Sequence, residues 1–409
     1  MASGTAQKIR RMADAPWSQK GALVWILSPF LLPLWIFWSL VSGFRRIRGY
    51  RSLLLPSNIE VGCVGNVLMG GSGKSPIVRA LAQLFLDRGH VVVIAARGVG
   101  GALRTGFVPS SSFEVRFVLE QVSRLGSHKL SDENREHFEL LTLACPEAGL
   151  ALFQGASRRD CVKAMASLAK QNPNVTFRVI LDDGLQHFQV DRSWNICVWD
   201  PWVVASAPPL CFPFGPYRED AFFHFSSLFH KFEFNFWSRC MDSDLSVFCS
   251  EVTKALGSVG LSAHESRDVV VSGSHSFFLA EYLEGRWRLR DSSSELIGAR
   301  LKRSTFHVVT GIARGGKFVD EMLRLVDRDA IVKHLELDDH GGFTQDAAEF
   351  LANSHTVVIT AKDYFRWCDS ETFRKALASK ALIVVTLSVS FFRWHAQGEV
   401  QPWCGDVLR

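Results

Sequence analysis

From Asn58 onward the chain alternates short apolar runs with amphipathic stretches, and this rhythm limits the possible folds more than any other feature. "NIEVGCV" (58–64), "VVVIA" (91–95), "LALF" (150–153), "FRVIL" (177–181) and "NICVW" (195–199) read as strands. Between the first two, "SPIVRALAQLFLDRG" sets Ile77, Val78, Leu81, Leu84 and Phe85 on one helical face. Pro76 stands at its start and Gly89 at its end. "RRDCVKAMASLAKQ" is a second helical stretch. Strand and helix in alternation predict an α/β fold with a parallel sheet covered on both faces.

A Pro-rich loop, "APPLCFPFGP" (207–216), precedes the aromatic run "AFFHFSSLFHKFEFNFW", which reads as a strand with a packed aromatic face. A second strand–helix series follows: "DVVVSG", "SFFLAEYLEGRWRLRD" with a turn at Glu284-Gly285, "TFHVVTGIA", "HTVVITAKD" and "ALIVVTLSV". At 409 residues the chain exceeds one ordinary core. The expected layout is an N-terminal segment over 1–51, a first α/β domain over 52–225 and a second, smaller one over 226–409 that closes a cleft. Lys and Arg are dispersed and the net charge is only +5, so nothing points to nucleic acid. Nine Cys are scattered without metal-ligand spacing, which fits free buried thiols in a reducing compartment.

Residues 21–44, "GALVWILSPFLLPLWIFWSLVSGF", carry no charge and are followed by Arg45, Arg46, Arg48 and Arg51. About 20 apolar residues suffice to span a bilayer, and Trp25, Trp35 and Trp38 suit its boundary. The segment is too long for a signal peptide. It predicts an N-terminal membrane helix with the basic flank and everything after it on the cytoplasmic side.

"VGNVLMGGSGKSP" (64–76) lies between the first strand and its helix, the context a phosphate-binding loop needs. The pattern is shifted: Leu68 stands where its first glycine belongs. Gly70, Gly71 and Gly73, with Ser72, can still turn backbone N–H groups toward phosphates at a helix N-terminus. Lys74 would neutralise phosphate oxygens, and Ser75 would hold Mg²⁺. "VILDDGLQHF" places Asp182 and Asp183 straight after a strand, where a P-loop NTPase-like domain keeps its metal-binding Asp.

Seven stretches then occur together: "VGNVLMGGSGKSP", "AARGVGG", "DDGLQHF", "FPFGPYRED", "VVTGIARGGKF", "DDHGGFT" and "VITAKD". In order and spacing they resemble the tetraacyldisaccharide 4'-kinase family, the lipid A 4'-kinases of Gram-negative envelopes, whose loop carries the same shift. The resemblance implies transfer of the ATP γ-phosphate, with Mg²⁺, to the 4'-hydroxyl of a lipid-linked glucosamine disaccharide 1-phosphate at the inner membrane, with no obligate protein partner. It implies Lys74 and Ser75 on the phosphates, Asp182 and Asp183 around the metal, and Glu219 as a further acidic residue near the site.

The family's base is an Asp from a Gly-Asp-Glu-Pro motif, paired with a His. "LDDHGGFT" supplies Asp339 and His340, with Gly341 where a second His would stand. "KLSDENREHF" supplies Asp132 and Glu133, followed by Asn134 instead of Pro; an ungapped count would put Glu136 and His137 there instead. Asp132 is preferred because Glu133 also matches. Val99 and Ala361 are lesser departures, and Lys362-Asp363 reads equally as a solvated pair or a structural one. Two rival readings are a P-loop GTPase or metallochaperone-type NTPase, and a membrane-attached binding protein that has lost catalysis. "TAKD" lacks the spacing of a guanine site.

Overall fold

The computed structural model describes residues 29–30, 32–33, 35–37, 40–41, 53, 55–68, 73–98, 105–117, 130–187, 190–206, 217–218, 234–241, 245–258, 268–290, 294–312, 315–326, 328–338, 341–394 and 400–403. The chain divides into two units. One comprises Met1–Lys129, Ala144–Gly273 and Val389–Arg409; the other comprises Leu130–Leu143 and Ser274–Ser388. The division does not run near residue 225. It passes instead through two long strands, Asp268–Leu283 and Ala381–Trp394.

In the first unit β1 (Ile59–Gly65), β2 (Val91–Ala96), β3 (Gly106–Pro109), β4 (Leu150–Gln154), β5 (Phe177–Asp182), β6 (Trp194–Trp199) and β7 (Phe234–Met241) align as β7-β6-β1-β5-β2-β4-β3. Neighbours are parallel except at the edge, where β3 runs antiparallel to β4. β2, β4 and β5 are buried at every residue, as strands covered on both faces must be. Helices Lys74–Asp87 and Arg158–Gln171 both pack on β1, β2 and β5. The first buries Ile77, Val78, Leu81, Ala82, Phe85 and Leu86, so Leu86 rather than Leu84 completes its apolar face.

The described part of the aromatic run is a strand, as expected. Phe234, Phe236 and Trp237 are buried in β7. The Trp237 ring stacks on Trp199 at 6.2 Å. Each indole N–H is satisfied: Trp199 donates to Asn235 Oδ1 and Trp237 to Asp268 Oδ1.

Gly62 in β1 lies flat against Trp194. A Cβ there would fall 1.9 Å from the indole Cζ2. Gly62→Ala is therefore expected to destabilise the fold by about 1–3 kcal/mol, the usual cost of overpacking a rigid core. Urea unfolding checks this through a lower midpoint at unchanged slope.

The second unit contains β10 (Phe306–Thr310), β11 (Ile331–Glu336), β12 (Thr356–Thr360), most of β13 (Ala381–Trp394) and the end of β8 (Asp268–Leu283), in the order β11-β10-β12-β13-β8. β10, β11, β12 and β13 are mutually parallel. Successive residues feed opposite core layers: Val309, Val357, Ile359, Leu382 and Val384 pack on one side, Val308, Val358, Ile383 and Val385 on the other. β8 joins "DVVVSG" and "SFFLAEYL" into one strand. It turns into β9 (Arg286–Arg290) at Glu284 and Gly285, both at positive φ, where the sequence places the turn.

Of the apolar segment 21–44, nine residues between Pro29 and Val41 are described, and all are helical. The rest of the expected membrane helix lies outside the described residues. Among the described residues no helix is long and apolar enough to cross a membrane.

Candidate functional site: a phosphate loop beside an acidic strand end

β1 and β5 are parallel neighbours with Val64 opposite Asp182, and the Asp183 amide donates to the Val64 carbonyl at 2.9 Å. The end of the loop strand and the Asp-Asp pair are therefore adjacent by sheet register. Gly73 caps the helix that follows the loop at φ 77, a left-handed backbone that glycine adopts without strain. Lys74 and Ser75 begin that helix. Gly70, Gly71 and Ser72 lie outside the described residues, as does Glu219.

The Lys74 ammonium donates to Asn66 Oδ1 at 3.1 Å and stands 3.8 Å from Asp183 Oδ1. Asp183 adopts a positive φ of 52, and its two carboxylate oxygens accept from Arg218 Nη1 at 2.9 and 2.8 Å. Arg218 also donates to Gln186 Oε1 at 3.3 Å. Arg218 reaches the pair because Leu68 and Tyr217 form a β-bridge and the Arg218 amide donates to the Val67 carbonyl. Leu68 itself is buried in the core of the unit. The missing glycine thus has a structural cause: that position belongs to a bridged, packed backbone.

Asp182 ends β5 and is nearly buried. Its carbonyl accepts from Arg158 Nη2 at 3.1 Å, while Arg158 Nη1 donates to the Gly155 carbonyl. Sequence reading missed Arg158 and Arg218. Arg218 was legible only as the neighbour of Glu219 in "GPYRED", and Arg158 gave no signal, since "SRRD" reads as an ordinary helix start.

Burial, then the Arg158 and Arg97 charges, hold the half-buried His187 down at about 4, so it is neutral at pH 7. A folded-state value below the unfolded one means that its contribution to stability is present above about 6.5 and is lost as pH falls toward 4. His187→Gln is expected to flatten part of the stability loss between those values. Urea midpoints for both proteins across that window are the check.

Asp132 lies in the second unit, at the start of helix Asp132–Ala144. Its Oδ2 accepts from Arg366 Nε and Nη2, both at 3.0 Å, and its Oδ1 accepts from the Glu133 amide. Glu136, the alternative, is buried and accepts from Thr386 Oγ1 at 3.4 Å; His137 is fully buried. Asp339 and His340 lie outside the described residues. The next residue, Gly341, accepts the Trp367 indole N–H at 2.9 Å.

Asp363 is not a solvated residue. It is fully buried, and its Oδ2 accepts from the Gly311 amide and the Thr360 hydroxyl. Burial lifts its carboxyl to about 6, against the pull of those donors and of Arg366.

A family model described as tetraacyldisaccharide-1-P 4'-kinase (LpxK) matches residues 27–122, 139–227 and 261–400. The chain belongs to this family. The match stops at 122 and resumes at 139, so Asp132 and Glu136 fall outside the matched segments. The tetraacyldisaccharide 4'-kinase of Methylobacillus flagellatus is 27% identical over 361 residues, covering 87% of each chain. That of Francisella philomiragia is 31% identical over 210 residues, 51% of this chain and 57% of its own. The fold matches the crystal structure of the "apo" form of LpxK from Aquifex aeolicus in complex with ATP. The TM-score is 0.58 at 17% identity, covering 89% of this chain and 95% of that one.

Proposed function

We propose that this chain transfers the γ-phosphoryl group of ATP to the 4'-hydroxyl of a lipid-linked, tetraacylated glucosamine disaccharide 1-phosphate, a step of lipid A biosynthesis. One observation carries the reading: in a member of this family, the Val64–Asp182 register sets Asp182 beside the strand that leads to Lys74 and Ser75. Phosphoryl transfer needs positioning and charge neutralisation more than covalent chemistry, and this is the equipment for it.

The residues present fit Mg²⁺. The Ser75 hydroxyl and Asp182 carboxylate are hard oxygen donors, of the kind that take the ion together with nucleotide oxygens and water. Among the described residues no cluster of three or more His, Cys, Asp or Glu could hold a metal, as suits an ion shared with ATP. When bound, it would offset negative charge on the β- and γ-phosphates. Lys74 neutralises the same oxygens from the protein side, with Gly70, Gly71, Ser72 and Gly73 supplying N–H groups. Asp183, paired with Arg218 and near Lys74, holds both cations in place and acts on the metal from behind Asp182. Glu219 completes the acidic rim. Asp132 and His340 are assigned to the acceptor hydroxyl, with the Asp as base.

The acceptor lies in a bilayer, and we assign residues 21–44 to attach the enzyme at the cytoplasmic face of the inner membrane. Phe30, Phe37 and Leu40, at 76%, 65% and 67% exposure on helical backbone, support this assignment, since apolar side chains left in water gain from entering lipid. The test is to incubate the detergent-solubilised protein with Mg²⁺, labelled ATP or GTP, and the disaccharide 1-phosphate. Label transferred to the 4' position from ATP is the expected result. GTP preference would favour the GTPase reading, and nucleotide binding without transfer the lapsed one.

A further inference from the structure

The chemistry of Asp132 depends on what holds it, and the second unit holds it with a single guanidinium. Both Arg366 bonds land on Oδ2, while Oδ1 accepts one neutral amide, that of Glu133. The two oxygens are thereby made unequal. An oxygen shared by two charged donors is the poorer base, so Oδ1 is the better one.

Arg366 is itself fixed. Its Nη1 donates to the Gly311 carbonyl at 2.8 Å and to Asp363 Oδ1 at 3.2 Å, and only 11% of its side chain is exposed. Asp363 is fixed in turn by the Gly311 amide and the Thr360 hydroxyl, the latter also capping the helix Ala361–Trp367. The anchor of this chain is a particular place in the sheet. β10 is flanked by β11 on one side and β12 on the other, so its connections depart in opposite directions. Gly311 follows β10 and Thr360 ends β12, so Arg366 is clamped at the topological switch point, where open α/β sheets place functional groups.

We propose that Arg366 is a positioning residue for phosphoryl transfer: clamped by Asp363 and Gly311, it holds Asp132 through Oδ2 and leaves Oδ1 to take the proton of the acceptor hydroxyl. The proposal rests on the assignment of Asp132 as base. In the step, the hydroxyl oxygen bonds to the γ-phosphorus as its O–H electrons are released. The proton passes to Oδ1, the bond to the β–γ bridging oxygen breaks, and ADP leaves. Arg366 gains and loses nothing. Lysine cannot replace it, because one ammonium lacks the planar fork that spans Asp132, Asp363 and Gly311 together.

The experiment is a double-mutant cycle on the full-length protein with ATP, Mg²⁺ and the disaccharide 1-phosphate. Asp132→Asn is expected to lower kcat by about 10²-fold or more, the usual share of a general base. Arg366→Gln and Arg366→Lys should each lower kcat roughly 10–10²-fold at unchanged KM for ATP, because a misplaced base costs rate rather than nucleotide affinity. In the Asp132→Asn background, Arg366→Gln should cost almost nothing more. If Asp132→Asn keeps full kcat, the base assignment is wrong and Arg366 loses its role with it. If Asp132→Asn is impaired but the Arg366 effects are absent, or multiply independently of Asp132, the base stands and the positioning role is overturned. Should Arg366→Gln not fold, Arg366→Lys, which keeps the buried charge, carries the comparison, and wild-type kcat in that variant refutes the proposal.

Discussion

Lys74→Ala should leave no measurable phosphorylation of the disaccharide. The ammonium lies between Asn66 Oδ1 and the Asp183 carboxylate, at the first residue of the helix that follows the loop. When phosphate oxygens arrive, the same positive charge can pass from these stand-in partners to them without moving far. Removing it costs twice. Negative charge on the transferring group loses a neutralising cation, worth on the order of 10²–10³ in kcat for one preorganised donor. Asp183 also keeps its own charge with one cation fewer, so nucleotide binding meets added repulsion. Lys74→Arg should not restore full activity, because a planar fork does not replace a compact point charge. Folding should survive, since the side chain joins no core cluster. Circular dichroism and label transfer from ATP, measured on one preparation, check both halves. Turnover within tenfold of wild type would remove Lys74 from the site.

Where the chemistry depends on neighbours in sequence, it could be read in advance. Strand, loop, Lys74-Ser75 and helix are consecutive, and the Asp182-Asp183 pair follows an apolar run whose parallel pairing is implied by the helices around it. What stayed hidden depends on partners far apart in the chain. Leu68 looked like a lost glycine because its bridge to Tyr217 cannot be seen from either stretch alone. Arg218 was passed over for its neighbour Glu219, although the guanidinium is what reaches Asp183. Asp363 could be a solvated strand-end residue or a buried anchor with the same local sequence, and only the Gly311 amide and Thr360 hydroxyl decide it. The division of the chain was equally nonlocal. A helix from the middle of the first series, Asp132–Ala144, belongs with the second unit, and "DVVVSG" and "SFFLAEYL" are one strand that changes unit midway. Periodicity finds such segments but carries no information on which sheet they join.

Asp182→Ala is expected to match Lys74→Ala in severity, and for a separable reason. Of the acidic pair, Asp183 has its carboxylate committed to Arg218, with Lys74 nearby. Asp182 faces no such cation in a direct ion pair within its unit; Arg158 meets its main-chain carbonyl, not its carboxylate. That bond survives substitution, so Asp182→Ala should fold, with thermal unfolding close to wild type. Burial also makes the carboxylate expensive to keep ionised unless a cation or strong donors compensate, and Mg²⁺ held jointly with ATP is a compensation the site chemistry admits. The loss should therefore show in the metal dependence. Asp182→Asn should need far more Mg²⁺ to reach half-maximal rate, with a ceiling at least about 10²-fold below wild type. Asp183→Asn should act differently, since it releases two cations rather than a metal ligand: a changed KM for ATP with a smaller shift in Mg²⁺ dependence. Titrating Mg²⁺ at fixed ATP for the three proteins separates these outcomes. A normal Mg²⁺ curve for Asp182→Asn beside a displaced one for Asp183→Asn would move the metal to Asp183 and leave Asp182 a structural role at the end of its strand.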